Sequence, residues 1–215
     1  SDYQFTNHYE QFRTDKARGQ DLSNNPQVAQ EVIERAMRYS SNISVIDKYV
    51  GIWLEPDKTE DEQLENSAAA MELIAEARIN SLKRKKIPEE TALEVELVTE
   101  EPYYKPTMEK KIYIDHCRKH FTSLIRDEQL KNKLVLQFVK KDRENLAFRD
   151  RYIRSGNACY LITHGVDTIG QLHQSDAGKR APFMIMPDSP DQRKQVRKIL
   201  KLVKKESHLP TVERH

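Results

Sequence analysis

Apolar positions along this chain recur mainly at steps of three and four, the spacing of a helix that packs on one side. A polar opening carries four aromatics (Tyr3, Phe5, Tyr9, Phe12) and reads as an arm that docks on another surface. Asn25-Pro26 then starts a helix with proline at the first helical position, and Val28, Val32, Ile33 and Ala36 follow at helical spacing. Ile43, Ile46, Val50 and Trp53 continue that helical pattern after a break at Ser40-Ser41-Asn42, and Glu55-Pro56 stops it. Thr59 and Glu62 form a capping box for a long helix over residues 60–86. Its Leu64, Ala68, Met71, Ala75, Ile79 and Leu82 make a narrow stripe, suited to a helix hairpin or a dimer seam. The helix ends in Lys83-Arg84-Lys85-Lys86, where cations complement the macrodipole.

The period changes at Leu93–Val98, where apolar and acidic residues alternate as in a half-exposed strand with Glu94 and Glu96 outward. Helical spacing returns with Tyr113, Cys117, Phe121 and Leu124, and a second helix from Asp127 carries Leu130, Leu134 and Phe138 at steps of four. Leu146, Phe148 and Tyr152 extend the helix to Ser155-Gly156, where glycine supplies a left-handed cap. Ala158–Thr163 fits either strand or helix, and Val166–Leu172 fits one or two helical turns. Ala181–Met186 reads as a strand, placed at an edge by Pro182. Ser189-Pro190-Asp191 then combines a capping hydroxyl, proline and an acid, and opens a last helix with Val196, Ile199, Leu200 and Val203 on one side. The pattern therefore predicts a mostly helical α+β fold, long helices with a few short strands.

Composition narrows this. A chain of 215 residues is one large domain or two small ones, and only 6 glycines argue against a turn-rich β fold or a glycine phosphate loop. No apolar run is long enough to cross a bilayer, so no membrane partner is expected. Ser1-Asp2-Tyr3-Gln4 lacks the marks of a signal peptide, and two cysteines, Cys117 and Cys159, make a poor disulfide framework. A reduced, cytoplasmic protein is the expectation.

Charge adds the sharpest feature. Residues 1–102 hold 12 Lys and Arg against 21 Asp and Glu, a formal −9, whereas residues 103–215 hold 24 against 13, a formal +11. The stiff segment Pro102-Tyr103-Tyr104-Lys105-Pro106 marks the change of sign. It divides an acidic helical half, 1–102, from a basic helical half with short strands, 103–215, either as two units or within one continuous domain. A half at +11 attracts a polyanion, double-stranded DNA being the commonest. The alternative is a non-catalytic interaction protein whose basic half meets an acidic protein, or the acidic half of a second copy. The acidic half in turn offers a surface to a protein partner.

The candidate DNA-binding residues follow from this. Arg193, Lys194, Arg197, Lys198, Lys201 and Lys204 surround the apolar stripe of the last helix and present cations opposite it. Lys179 and Arg180 precede a strand that leads into a capped helix, where backbone N–H groups suit a phosphate. Phosphate contacts position a protein on DNA without choosing its sequence. Arg149, Arg151 and Arg154, beside Glu144 and Asp150, read as a surface ion-pair network. His116 and His120 share a helix face, but the pair lacks a third ligand and the glutamate of a zinc-protease motif, and Cys117 falls on the apolar stripe as a core residue. Paired carboxylates such as Glu60-Asp61-Glu62 read as solvated helix starts. No catalytic residue, metal site or cofactor is called for.

The order of elements around Pro102-Tyr103-Tyr104, the following helix with Ile112, Tyr113, Asp115 and Cys117, Ile125-Arg126-Asp127, and the basic region downstream resembles the AcaB-like regulators of conjugative plasmids and integrative elements. The resemblance spans roughly residues 25–155. It implies a ribbon-helix-helix-related fold, a homodimer, and activation of conjugative-transfer genes. Such proteins read bases with a two-stranded ribbon in the major groove. Glu94 and Glu96 make residues 93–98 a poor reading strand, whereas Lys179–Met186 has the better charge and stands before the Ser189 helix. Only Ser207–His215 remain for a second helix, so the resemblance assigns no base-reading residues.

Overall fold

A computed structural model describes residues 21–37, 42–55, 61–84, 94–104, 108–140, 150–156, 158–174 and 177–207. The elements in chain order are α1 (Pro26–Met37), β1 (Asn42–Ile46), α2 (Lys48–Trp53), α3 (Glu62–Arg84), β2 (Glu94–Glu100), α4 (Lys110–Leu124), α5 (Glu128–Lys133), β3 (Leu134–Val139), β4 (Arg151–Ser155), β5 (Ala158–Ile162), α6 (Asp167–Gly170), β6 (Ile185–Met186) and α7 (Pro190–Ser207). Among the described residues these make an α+β fold of seven helices on a six-stranded mixed sheet, more helical than extended. The strand order is β3-β2-β1-β4-β5-β6. β1, β2 and β3 run parallel, and β4, β5 and β6 continue as an antiparallel meander from β1. Residues 1–102 supply two strands and residues 103–215 supply four, so both halves build one sheet.

Successive strand residues point to opposite faces. On one face Ile43, Val45, Val95, Leu97, Ile153 and Tyr160 join the larger core with α1, α3, α4 and α6. On the other, Ile46, Val98, Val139, Tyr152 and Cys159 meet α7, through Val196, Ile199 and Val203, and among the described residues no other helix joins this cluster. The long stripe of α3 is consumed within the chain. Leu64, Ala68, Met71 and Ala75 are buried together with Ala70, Leu73, Ile74 and Ala77, so the helix is covered over far more than a narrow seam. Its start is capped by Asp61, whose Oδ1 accepts the N–H of Gln63 at 3.1 Å and of Leu64 at 3.3 Å. Thr59, the expected cap, lies outside the described residues, as do Lys85 and Lys86.

Four expectations change. Residues 43–46 form strand β1 rather than helix, because Ile43, Val45 and Ile46 are a β-branched run buried on both faces at the centre of the sheet. Leu134 and Phe138 belong to β3, not to a helix continued from Leu130. A step of four satisfies a period of two as well as one of 3.6, and Leu134, Leu136 and Phe138 share the strand face toward the larger core. Tyr152 lies in β4, and Gly156, at φ 61°, turns the β4–β5 hairpin instead of ending a helix. Leu146 and Phe148 are outside the described residues. Finally, β2 is an interior strand between β1 and β3, so Glu96 points beneath α7 rather than to open solvent. The remaining elements match their sequence signals, with Ala158–Ile162 resolved as strand and the expected strand at 181–186 reduced to Ile185–Met186 at the sheet edge.

Two close approaches fix the layers. A Cβ on Gly170 would stand 1.8 Å from the carbonyl oxygen of Asn66, so α6 lies against α3 at a distance only glycine permits. At the sheet end, the fully buried Asp47 accepts the N–H of Tyr49 at 2.9 Å and the N–H of Val166 at 2.7 Å. It thereby caps α2 and ties β1 to the turn after β5.

Candidate nucleic-acid interface

The basic side of the molecule is organised by α7. Ser189 accepts the N–H of Gln192 at 3.3 Å, Pro190 holds the first helical position and Asp191 lies in the first turn, as the sequence pattern requires. Val196, Ile199 and Val203 are buried against the sheet, with Leu200 and Leu202 half-buried at their flanks. At 100° per residue this places Lys194, Lys198 and Lys201 on the opposite, outer face, with Arg197 at its margin, and all four are exposed.

Arg193 and Arg197 turn toward the sheet side. Together with Lys201, they follow one another at i, i+4 and i+8, a single file along the helix. Beneath them runs a polar row set by strand register, in which Glu96, Ser44, Arg154 and Cys159 are consecutive cross-strand neighbours. Helix and row enclose a pocket of about 320 Å³, lined by Glu96, Arg154, Gly156, Cys159, Arg193, Val196, Arg197, Leu200, Lys201 and Val203.

The fixed partners in this pocket determine which charges stay available. Ser44 donates its hydroxyl to Glu96 Oε2 at 2.8 Å, holding the carboxylate on the sheet. Arg154 donates its Nε to the Gly156 carbonyl at 2.9 Å, which orients the planar guanidinium. Arg193 Nε stands 3.4 Å from Asp188 Oδ1, the oxygen that also accepts the Cys159 N–H at 2.9 Å. Among the described residues, no salt bridge engages Arg154, Arg197 or Lys201. Burial raises the Asp188 carboxyl above its ordinary range, against the lowering effect of the Cys159 N–H and Arg193. Burial also pushes the Cys159 thiol up to about 11, so it remains a protonated, unreactive wall of the pocket.

The structure brings together Arg193, Lys194, Arg197, Lys198 and Lys201 on one helix, and it places Lys204 on the same helix one turn further on. Lys179 and Arg180 stand apart. Lys179 is exposed at the end of a short 3₁₀ turn, Ala177–Lys179, rather than at the start of a strand. Arg180 donates its Nε to the Gln174 carbonyl at 3.0 Å and its Nη1 to the Ser23 carbonyl at 3.3 Å, while Nη2 also reaches the Gln174 carbonyl. It is a clamp that fastens residue 23 to residue 174.

Sequence reasoning missed Arg154 as a pocket residue, because it grouped Arg149, Arg151 and Arg154 at one helix end. In β4, Arg151 and Arg154 point to opposite faces, with Arg151 packed over the Tyr49 ring at 4.6 Å. Arg149 lies outside the described residues. The signal that separates the two arginines is their odd spacing in a strand followed by glycine.

Asp47 and Asp167 are both raised by burial, and each is engaged in structure. Both Asp47 oxygens are taken by backbone N–H groups, which suits a brace rather than a proton shuttle. Cys117 is buried, with its thiol 3.6 Å from the Leu54 carbonyl, as a core residue should be. Among the described residues, no three His, Cys, Asp or Glu side chains converge to hold a metal. No helix among them is long and apolar enough to cross a membrane. No protein-family model, curated protein or solved structure matches this chain.

Proposed function

We propose that this protein binds double-stranded DNA by its sugar-phosphate backbone, through the outer face of α7, and acts as a regulator without catalysis. The observation that carries this reading is the exposed set Lys194, Arg197, Lys198 and Lys201 on a helix whose opposite face is anchored in the sheet. Cations on a rigid element meet phosphates without the cost of ordering the backbone, and each neutralised phosphate releases a counterion. A role in activating conjugative-transfer genes, and a homodimer that reads bases with a paired ribbon, are the finer parts of the proposal and rest on the family resemblance alone. β6 ends the sheet and leads directly into α7, so it is the strand that a second copy would pair.

The test is binding of a short duplex without terminal phosphates, followed by fluorescence anisotropy across a salt series. Four phosphate contacts give a slope of log K against log salt of about −3 to −4. Lys194→Glu with Lys198→Glu should flatten it by about 2. A salt-independent affinity, or a slope unchanged by the double substitution, removes α7 from DNA recognition.

A further inference from the structure

We infer that the pocket beneath α7 is a phosphomonoester site, built for the terminal 5′-phosphate of a nucleic-acid strand or for the same group on a free nucleotide. The inference rests on the reading of α7 as a nucleic-acid-binding helix for the source of its ligand.

Charge comes first. Among the described residues, Arg154, Arg193, Arg197 and Lys201 line the pocket with Glu96, and the buried Asp188 pairs with Arg193 behind it, which leaves a formal excess of two positive charges. A phosphodiester carries one negative charge, whereas a phosphomonoester carries between about 1.5 and 2 at neutral pH. The excess therefore suits a chain end better than a chain interior.

Position leads the same way. Arg154 sits on the sheet under the helix, whereas Lys194 and Lys198 sit on the outer face. A continuous duplex backbone lying along Lys194 and Lys198 shares only Arg197 and Lys201 with the pocket and passes above Arg154, whereas a strand end or a mononucleotide enters from the side. Geometry supplies the recognition. With Nε held on the Gly156 carbonyl, the Arg154 fork is set before any ligand arrives, and among the described residues its terminal amino groups have no carboxylate partner. Pre-oriented forks of this kind recognise phosphate in two-point contact. Val196, Leu200 and Val203 give the pocket an apolar wall against which a sugar or base can lie. Its volume of about 320 Å³ is at the small end of ligand pockets, the right scale for one nucleotide.

Calorimetry at low salt with adenosine 5′-monophosphate, adenosine, and one duplex prepared with 5′-phosphate or 5′-hydroxyl ends tests this. The monophosphate should bind and adenosine should not, and the 5′-phosphate should tighten the duplex by about tenfold, the value of one charge-assisted contact. Arg154→Ala should weaken monophosphate binding at least tenfold, and Arg154→Lys should restore part of it by returning the charge without the fork. Arg197→Glu, at an exposed position, gives the same loss without threatening the fold. Lys119→Ala, on α4 in the opposite layer, should change nothing. Monophosphate binding with no end effect on DNA supports the site and assigns it to free nucleotides. Failure of the monophosphate to bind, together with equal affinity for both duplexes, overturns the site while leaving backbone binding intact. Conversely, Arg154-dependent binding of the monophosphate without any duplex affinity keeps the site and removes the DNA reading.

Discussion

The two faces of the sheet are built for different ends. One carries a continuous apolar core under several helices, with α3 buried along most of its length. The other carries a small apolar cluster that, among the described residues, lies under α7 alone, beside the row Glu96, Ser44, Arg154 and Cys159. Burying charged and polar side chains on a sheet face adds little to stability unless they are paired. The first face therefore holds the protein folded, and the second trades core for an array of charge. Disruptions on the two faces should separate stability from binding.

The largest effect is expected at a close helix–helix contact on the packed face. Gly170→Ala drives a Cβ into the Asn66 carbonyl, and should lower unfolding free energy by about 3 kcal/mol or more, read by urea titration. Asp47→Ala comes next. It removes the α2 cap and leaves the buried Val166 N–H without its acceptor, for a loss of about 2–4 kcal/mol in the same assay.

A smaller effect belongs to the α7 face and depends on pH. The folded Asp188 carboxyl lies above its ordinary value, so the folded state holds the proton more tightly than the unfolded chain. Its contribution to stability is present below the ordinary aspartate range, near 4, and is lost as pH rises through the folded value. Asp188→Asn should flatten that part of the curve of unfolding free energy against pH. An unchanged curve shows that the carboxyl titrates normally in the folded protein. The smallest effect is that of Lys194→Glu with Lys198→Glu, which should leave the urea midpoint where it is while reducing the salt dependence of DNA binding. A drop in midpoint matching that of Gly170→Ala would dissolve the contrast between the faces.

How much of this was legible in the sequence depended on whether local signals agreed. The α7 helix was readable throughout, because cap, proline, apolar stripe and charge all point to one structure. The α4 helix was equally plain from Tyr113, Cys117 and Phe121, all buried. Residues 43–46 and 134–139 were misread because short apolar runs fit both periods, and only pairing with distant strands decides between them. Gly156 announced a left-handed residue, but whether it closes a helix or a hairpin depends on β1 accepting β4 as a neighbour. The cations of α7 could be named in advance. The pocket could not, because it exists only where the register sets Arg154 across from Ser44 and beneath a helix some forty residues further along. Arg180 shows the converse, a cation whose charge is visible in the sequence but whose donors are already committed to carbonyls.

The place of β1 has one more consequence. It is hydrogen-bonded to β2 on one side and to β4 on the other, and these neighbours come from opposite sides of the Tyr103 junction. Cutting the chain there would divide a bonded pair instead of releasing two modules. The fragments, formally −9 and +11, would then behave as the pieces of a split protein, drawn together by their own opposite charge and completing the sheet only in each other's presence.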